Sequence, residues 1–165
     1  MTGAGVFMAK IFIYCSYSGN GDAVAAKMKE NGYEIRKIEP DFLLSEKLLP
    51  RMLKGGFSAF IGQTPPLVGY DRDVSGFDEV AIGSPIWNGR TASPVNTVLR
   101  DTDLSGKRLS FVLYSGSGYA KKADEKLRKL YPGAVIIHLK QPADDPGELS
   151  KLGRLFPDDG GKEQA

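Results

Sequence analysis

The sequence predicts an α/β protein, a single doubly wound, five-stranded parallel sheet with helices on both faces, three layers in all. Three observations predict it. Five short apolar runs alternate with helical patterns along the chain. The first run, Ala9 to Cys15, is almost continuously apolar and leads into an Ala-rich stretch, the pattern of a strand buried on both faces of a parallel sheet. The loops after the first, third and fourth runs are rich in Gly and Ser or carry a large aromatic, whereas those after the second and fifth are not. In open α/β sheets ligands sit beyond the carboxyl ends of the strands, where strand order reverses. The selective enrichment therefore points to one ligand bridging three loops.

Taken in order, the first strand ends in Ser16-Tyr17-Ser18-Gly19-Asn20-Gly21 and a helix follows, with Val24 and Met28 on one face. Asn20 can cap that helix through its side-chain oxygen. A strand, a small-residue loop and a helix start make an anion site, because free backbone N–H groups and the positive dipole end converge there. The loop holds no Lys or Arg, and the P-loop pattern Gly-x4-Gly-Lys-Ser/Thr is absent, so a phosphate monoester suits it better than a magnesium triphosphate. An unliganded, Asn-capped turn is the plainer alternative from this loop alone.

Tyr33 to Ile38 is the second strand, and its Glu34, Arg36 and Lys37 suit an edge. Leu43 to Leu53 reads as a helix that Pro50 ends or kinks. Phe57 to Tyr70 reads as irregular, with Phe57 and Phe60 as packing anchors. Val80-Ala81-Ile82 is the heart of the third strand and runs into Gly83-Ser84-Pro85-Ile86-Trp87-Asn88-Gly89-Arg90. Ser93 reads as an N-cap with Pro94 at the first helical position; Val95, Val98 and Leu99 mark the apolar face. Leu109 to Tyr114 is the fourth strand, ending in Ser115-Gly116-Ser117-Gly118-Tyr119. The helix from Lys121 to Leu130 has Ala123, Leu127 and Leu130 on one face, and Ala134 to Leu139 is the fifth strand. Asp145 and Pro146 start a last helix with Leu149, Leu152 and Leu155 or Phe156 inward. Residues 1–8 are expected to be a flexible extension, 9–157 the domain and 158–165 a disordered tail.

Composition narrows the function. With 41% hydrophobic and 25% charged residues, the chain is globular rather than disordered. A net charge of +2, without basic runs interleaved with aromatics, gives no case for nucleic acid. No apolar run approaches membrane-spanning length, and the first residues lack the charged start of a secretory signal. One cysteine, Cys15, precludes an internal disulfide and fits a cytoplasmic setting. One histidine, His138, lies inside a strand pattern and reads as structural. A Ser-His-Asp hydrolase would need a nucleophile elbow that no serine here provides. One Cys and one His also argue against a metal centre. The dinucleotide fingerprint fails at Val24 and at the distance of Gly19 from the strand; Glu39 alone matches it. Trp87 is either a wedge on the sheet end or a stacking face for a planar ligand; beside an anion loop and a second Gly-Ser loop, stacking is the better reading.

Ser16-Tyr17-Ser18-Gly19-Asn20 resembles the Ser/Thr-x-Ser/Thr-Gly-Asn-Ser/Thr phosphate loop of flavodoxins. Gly83-Ser84-Pro85-Ile86-Trp87-Asn88-Gly89, followed by Pro94, Val95 and Leu99, is similar to the flavodoxin loop after the third strand and its helix. The resemblance runs from Ala9 to about Phe156 and implies the flavodoxin-like strand order 2-1-3-4-5 with FMN at the switch between strands 1 and 3; flavodoxin is the standard illustration of that arrangement. It implies that Ser16, Ser18, Gly19, Asn20 and Gly21 hold the 5′-phosphate. Pro85, Ile86, Trp87, Asn88 and Gly89 would border the isoalloxazine, and Ser115, Gly116, Ser117, Gly118 and Tyr119 its pyrimidine edge. The family's last phosphate-loop hydroxyl is replaced here by Gly21, and Asp22 sets a negative charge in the first helical turn. The implied function is electron transfer or oxidoreduction by an FMN flavoprotein, with a redox partner protein. The alternatives are an NAD(P)H-dependent reductase of a quinone-like acceptor and a cofactor-free, partner-binding scaffold. No catalytic side chain is implied.

Overall fold

A computed structural model describes residues 8–40 and 64–156. The helix expected over 43–53, the anchors Phe57 and Phe60, and nearly all of the two proposed terminal extensions lie outside the described residues. Strands β1 (Lys10–Tyr14), β2 (Tyr33–Lys37), β3 (Glu79–Trp87), β4 (Arg90–Thr91), β5 (Arg108–Ser115) and β6 (Val135–Lys140) alternate with helices α1 (Asn20–Glu30), α2 (Ser93–Asp101) and α3 (Lys121–Leu130). A 3-10 helix, Pro146–Leu155, closes the described chain.

The sheet order is β2-β1-β3-β5-β6, every neighbouring pair parallel, with the two-residue β4 pairing antiparallel to β3. Without that small appendage the five parallel strands stand in the order 2-1-3-4-5, as expected. Strand order reverses between β1 and β3, because the chain leaves β1 for β2 on one side and returns to β3 on the other.

Alternation explains the continuous apolar runs. Ile11, Ile13, Val80, Ile82, Phe111 and Leu113 face one layer, where Val95 and Val98 of α2 and Ala123 and Leu127 of α3 cover them. Phe12, Tyr14, Ala81, Val112 and Ile137 face the other, under Val24, Ala25 and Met28 of α1 and Leu152 and Leu155 of the 3-10 helix. In the middle of β1, β3 and β5 both residues of adjacent pairs are thus removed from water, and these strands cannot show the polar alternation of a one-faced sheet.

Four local expectations are corrected. β3 runs on through Pro85, Ile86 and Trp87, which the sequence had suggested as loop, because Ile86 and Trp87 pair with Thr91 and Arg90. Leu130 is exposed, and buried Asp124 takes part of the inner face of α3 because His138 meets it from β6. Ser93 is the first helical residue rather than the cap, and the N–H of Ala92 before it donates to the Ser84 hydroxyl at 2.9 Å. Asn20 does not cap α1, as the site geometry explains. The Asp145 expectation holds, its side chain accepting from the Gly147 N–H at 3.1 Å.

Candidate functional site

Beyond the carboxyl ends of β1, β3 and β5, at the point where strand order reverses, lies a cleft of about 280 Å³. Tyr17, Ser18 and Asn20 line it from the first loop, Pro85, Ile86 and Trp87 from the end of β3, and Tyr114, Ser115 and Gly116 from the end of β5. Gln141 and Asp144 complete it from the loop after β6. The volume sits just under the range of about 300–1,000 Å³ usual for small-molecule sites.

The first loop is built around its helix start. Gly19, with φ of 86°, stands before α1 in the left-handed region and brings no capping side chain. Ser16 performs the capping bond, its hydroxyl accepting from the Gly21 N–H at 3.1 Å. Asn20 is already helical. Its amide donates to the Ser18 hydroxyl at 3.0 Å, and its Oδ1 accepts from the N–H of Ala143, 123 residues away, at 3.0 Å. The amide thus braces the cleft instead of closing the helix. Among the described residues no acceptor meets the backbone N–H groups of Ser18, Gly19, Asn20 or Asp22, so the first turn offers its donors outward.

Gly21 has a reason of its own. A Cβ there would lie 2.6 Å from the Tyr114 hydroxyl and 2.8 Å from both the Cys15 carbonyl oxygen and Ser16 Cβ. The Tyr114 hydroxyl donates to that carbonyl and ties the end of β5 to the first loop. Burial pushes the Tyr114 phenol far up and likewise raises the Cys15 thiol, so both stay protonated.

Asp22 does not confront the cleft as a bare charge. Its carboxylate accepts from the Tyr14 hydroxyl at 2.8 Å and from Lys37 Nζ at 3.0 Å. Partial burial alone would raise this carboxyl; the bonds from Tyr14 and Lys37, together with the lysine charge, hold it below its ordinary value. Burial first, then the Asp22 carboxylate, raises Tyr14. The negative charge that the sequence sets near an anion site is therefore answered locally by a cation.

The aromatic wall joins two loops. Tyr17 and Trp87 pack at 5.1 Å between ring centroids, tilted by 41°. Beyond Trp87 the chain turns through Asn88 and Gly89, with φ of 51° and 75°. Two consecutive positive φ angles between paired Trp87 and Arg90 make the two-residue hairpin turn that Asn-Gly favours. The Gly89 carbonyl accepts from the Ala123 N–H at 3.0 Å, fixing the turn to the start of α3.

Ser18, Asn20, Pro85, Ile86, Trp87, Ser115 and Gly116 thus meet in one cleft. Ser16, Gly19, Gly21, Asn88 and Gly89 shape its walls without lining it. Ser117, Gly118 and Tyr119 also lie outside the lining. The Gly118 N–H donates to the Ser115 hydroxyl at 3.0 Å, the Ser117 hydroxyl donates to the Tyr119 carbonyl at 3.0 Å, and the Tyr119 ring rests on His138 at 4.6 Å. Sequence reasoning missed Tyr17, Tyr114, Gln141 and Asp144. Tyr17 could have been found inside the first loop's own motif. Gln141 could not, because its place depends on a positive φ of 43° and on its N–H donating to the Ser115 carbonyl at 3.1 Å.

The family model described as flavodoxin matches residues 9–143. A protein from Bacteroides eggerthii, provisionally named a flavoprotein, is similar in structure, with a TM-score of 0.69 and 21% identity over 88% of this chain and 97% of that one. A flavoprotein from Lactobacillus acidophilus, solved in complex with FMN, gives a TM-score of 0.63 and 19% identity over 79% of this chain and 90% of that one. Identities this low speak for the fold. No curated protein sequence matches the chain.

Proposed function

The chain belongs to the flavodoxin family, and from that premise we propose that it binds FMN in the cleft and serves in electron transfer. One observation carries the reading. A helix start with unengaged N–H groups and a Ser18 hydroxyl meets the Tyr17–Trp87 wall at the switch point of the sheet. The first suits a phosphate monoester and the second a planar ring. The FMN held by the Lactobacillus acidophilus flavoprotein of the same fold supports the same assignment.

FMN fits the residues present. Ser18, Gly19 and Asn20 would hold the phosphate with hydroxyl and backbone donors, and Ser16 and Gly21 keep the loop tight enough to aim them. Tyr17, Pro85, Ile86 and Trp87 would border the ring, exclude water from one side and orient it. Asn88 and Gly89 would present turn backbone at its edge, and the segment from Ser115 to Tyr119 backbone donors and acceptors to its pyrimidine side. Bound FMN supplies the electron chemistry, and the protein supplies position and electrostatics. Asp144 is the only charged lining residue among those described, so the cleft itself carries no cation to raise the flavin's electron affinity.

The visible spectrum of the purified protein, with mass spectrometry of the released cofactor, tests the reading. FMN at about one per chain supports it; FAD, or no flavin retained after reconstitution, overturns it. Anaerobic oxidation of NAD(P)H then separates a reductase from a carrier that waits on a redox partner protein. Among the described residues no helix is long and apolar enough to cross a membrane.

A further inference from the structure

Asp124, Arg128, His138 and Tyr119 form a cluster at the seam of α3 and β6 that the flavin reading leaves unused. Asp124 is only 6% exposed and shares the inner face of α3 with Ala123 and Leu127. A carboxylate buried there is unfavourable unless it is paired. Arg128 pairs it at 2.7 Å and His138 Nε2 at 2.8 Å. The bond from Arg128 first, then that from His138, holds the carboxyl below its ordinary value against its own burial. An ionised carboxylate only accepts, so the proton in the second bond belongs to Nε2 of His138. Among the described residues no hydrogen-bond partner meets Nδ1. The ring therefore has one nitrogen engaged and one left to take up a second proton.

Tyr119 covers that ring at 4.6 Å between centroids, tilted by 54°, and is itself 56% exposed. It ends the segment that starts with Ser115 and Gly116, the β5 wall of the cleft. Gly118 turns this segment with φ of 82°, and a Cβ there would meet Lys140 Cβ at 3.0 Å. The segment is tied to the β6 side at both ends. The Ser115 carbonyl accepts from the Gln141 N–H at 3.1 Å at one end, and the Tyr119 ring rests on His138 at the other. A cation within about 6 Å of an aromatic ring is attracted to it, so a protonated His138 grips Tyr119 more firmly than a neutral one. The charged groups that face His138 are Asp124 and Arg128 of α3; Leu113, its partner on β5, is apolar. We propose that His138 is a positioning residue for the β5 wall of the cleft, holding that wall through Tyr119 with a strength that depends on its proton. The consequence for flavin rests on the FMN reading; the grip itself does not.

Two measurements on the full chain test this. In the flavin-free protein, NMR from about pH 5 to 8, the range in which imidazole changes charge, should show the Gly116 amide following the His138 ring protons with one midpoint. That coupling should vanish in His138→Gln and in Tyr119→Ala; the latter changes an exposed side chain, so it decides the matter even where His138→Gln fails to fold. The second measurement is the FMN affinity of the parent divided by that of each variant, a ratio that cancels the titration of the phosphate itself. Against Tyr119→Ala and His138→Gln the ratio should rise about two- to fivefold from pH 8 to pH 5.5. Tyr119→Phe, which keeps the ring, should retain the parent's profile. A Gly116 amide indifferent to His138, or a ratio flat with pH, would overturn the proposal and leave the histidine a packing residue. Coupled shifts in a chain that takes up no flavin would support the grip while the FMN reading fell.

Discussion

Restoring the family's hydroxyl at position 21 should damage this protein, and Gly21→Ala isolates the reason. Helix propensity alone favours alanine over glycine by about 0.5–1 kcal/mol. Against that stands a Cβ at 2.6 Å from the Tyr114 hydroxyl and 2.8 Å from the Cys15 carbonyl. Forcing a methyl into a packed site costs roughly 1–3 kcal/mol. If Tyr114 swings away, the bond it donates to Cys15 is lost between two buried groups, adding about 1–3 kcal/mol. The net expectation is a loss of about 2–4 kcal/mol, which for a chain of this size lowers the melting temperature by several degrees. Ser adds a hydroxyl to the same collision and should be no better. Urea denaturation of the cofactor-free protein measures the loss, and Tyr114→Phe identifies its source. Removing the hydroxyl takes away the nearest obstacle, so Gly21→Ala should cost at least about 1 kcal/mol less when combined with Tyr114→Phe than when made alone. Equal costs in both settings, or a Gly21→Ala protein as stable as the parent, would refute the packing argument.

Ser18→Asp should weaken FMN binding far more than riboflavin binding, because a carboxylate about 4 Å from the phosphate costs up to roughly 4 kcal/mol at a partly buried site; equal losses in parallel titrations would remove the phosphate from this loop. Trp87 is the sole tryptophan, so its fluorescence should be quenched as flavin binds, and Trp87→Ala should loosen the flavin by at least about 0.5–1.5 kcal/mol. Gly89→Val should destabilise the apo protein by about 1–2 kcal/mol through its φ of 75° rather than through crowding, since the nearest atom to a new Cβ is 3.7 Å away; Asn88→Gly in the same denaturation series should be nearly neutral. Asp124→Asn should cost about 1.5–3 kcal/mol at neutral pH, because Arg128 and His138 lose a charged acceptor. The Arg128 bond first, with His138 beside it, holds the Asp124 carboxyl below its ordinary value against its own burial. A depressed carboxyl stabilises only while ionised, so this contribution is whole above the unfolded value and fades as pH falls through the lowered one. Denaturation midpoints at neutral and at acid pH should therefore converge for parent and variant on the acid side alone.

The parallel sheet was legible because burial on both faces leaves a mark on every residue of a strand, as in Ile11, Phe12, Ile13 and Tyr14. The 3.6-residue period that placed Val24 and Met28 inward is equally local. What escaped depends on pairs far apart in sequence. Leu130 continues the apolar stripe of α3 on paper, yet it is left exposed while buried Asp124 meets His138 of β6. Asn20 has the right chemistry for a cap, but its oxygen is drawn to Ala143. The end of β3 was hidden because Pro85 reads as a breaker; the strand tolerates it, and Ile86 and Trp87 go on to pair with β4. Seven of the eleven lining residues could be read from motif, and the part from the loop after β6 needed the backbone turn at Gln141.

The bond from Ala143 to Asn20 spans nearly the described length of the chain. A loop that reads as a local motif is therefore completed by a segment 123 residues further along the chain. Loop closure over such a distance is a late and slow event in folding. A ligand gripped by that loop would bind the native state and not its partly folded precursors, and so would pull on the whole folding equilibrium by mass action. Cofactor retention would then report on global stability, and substitutions far from the cleft that loosen β6 should surface first as faster flavin loss.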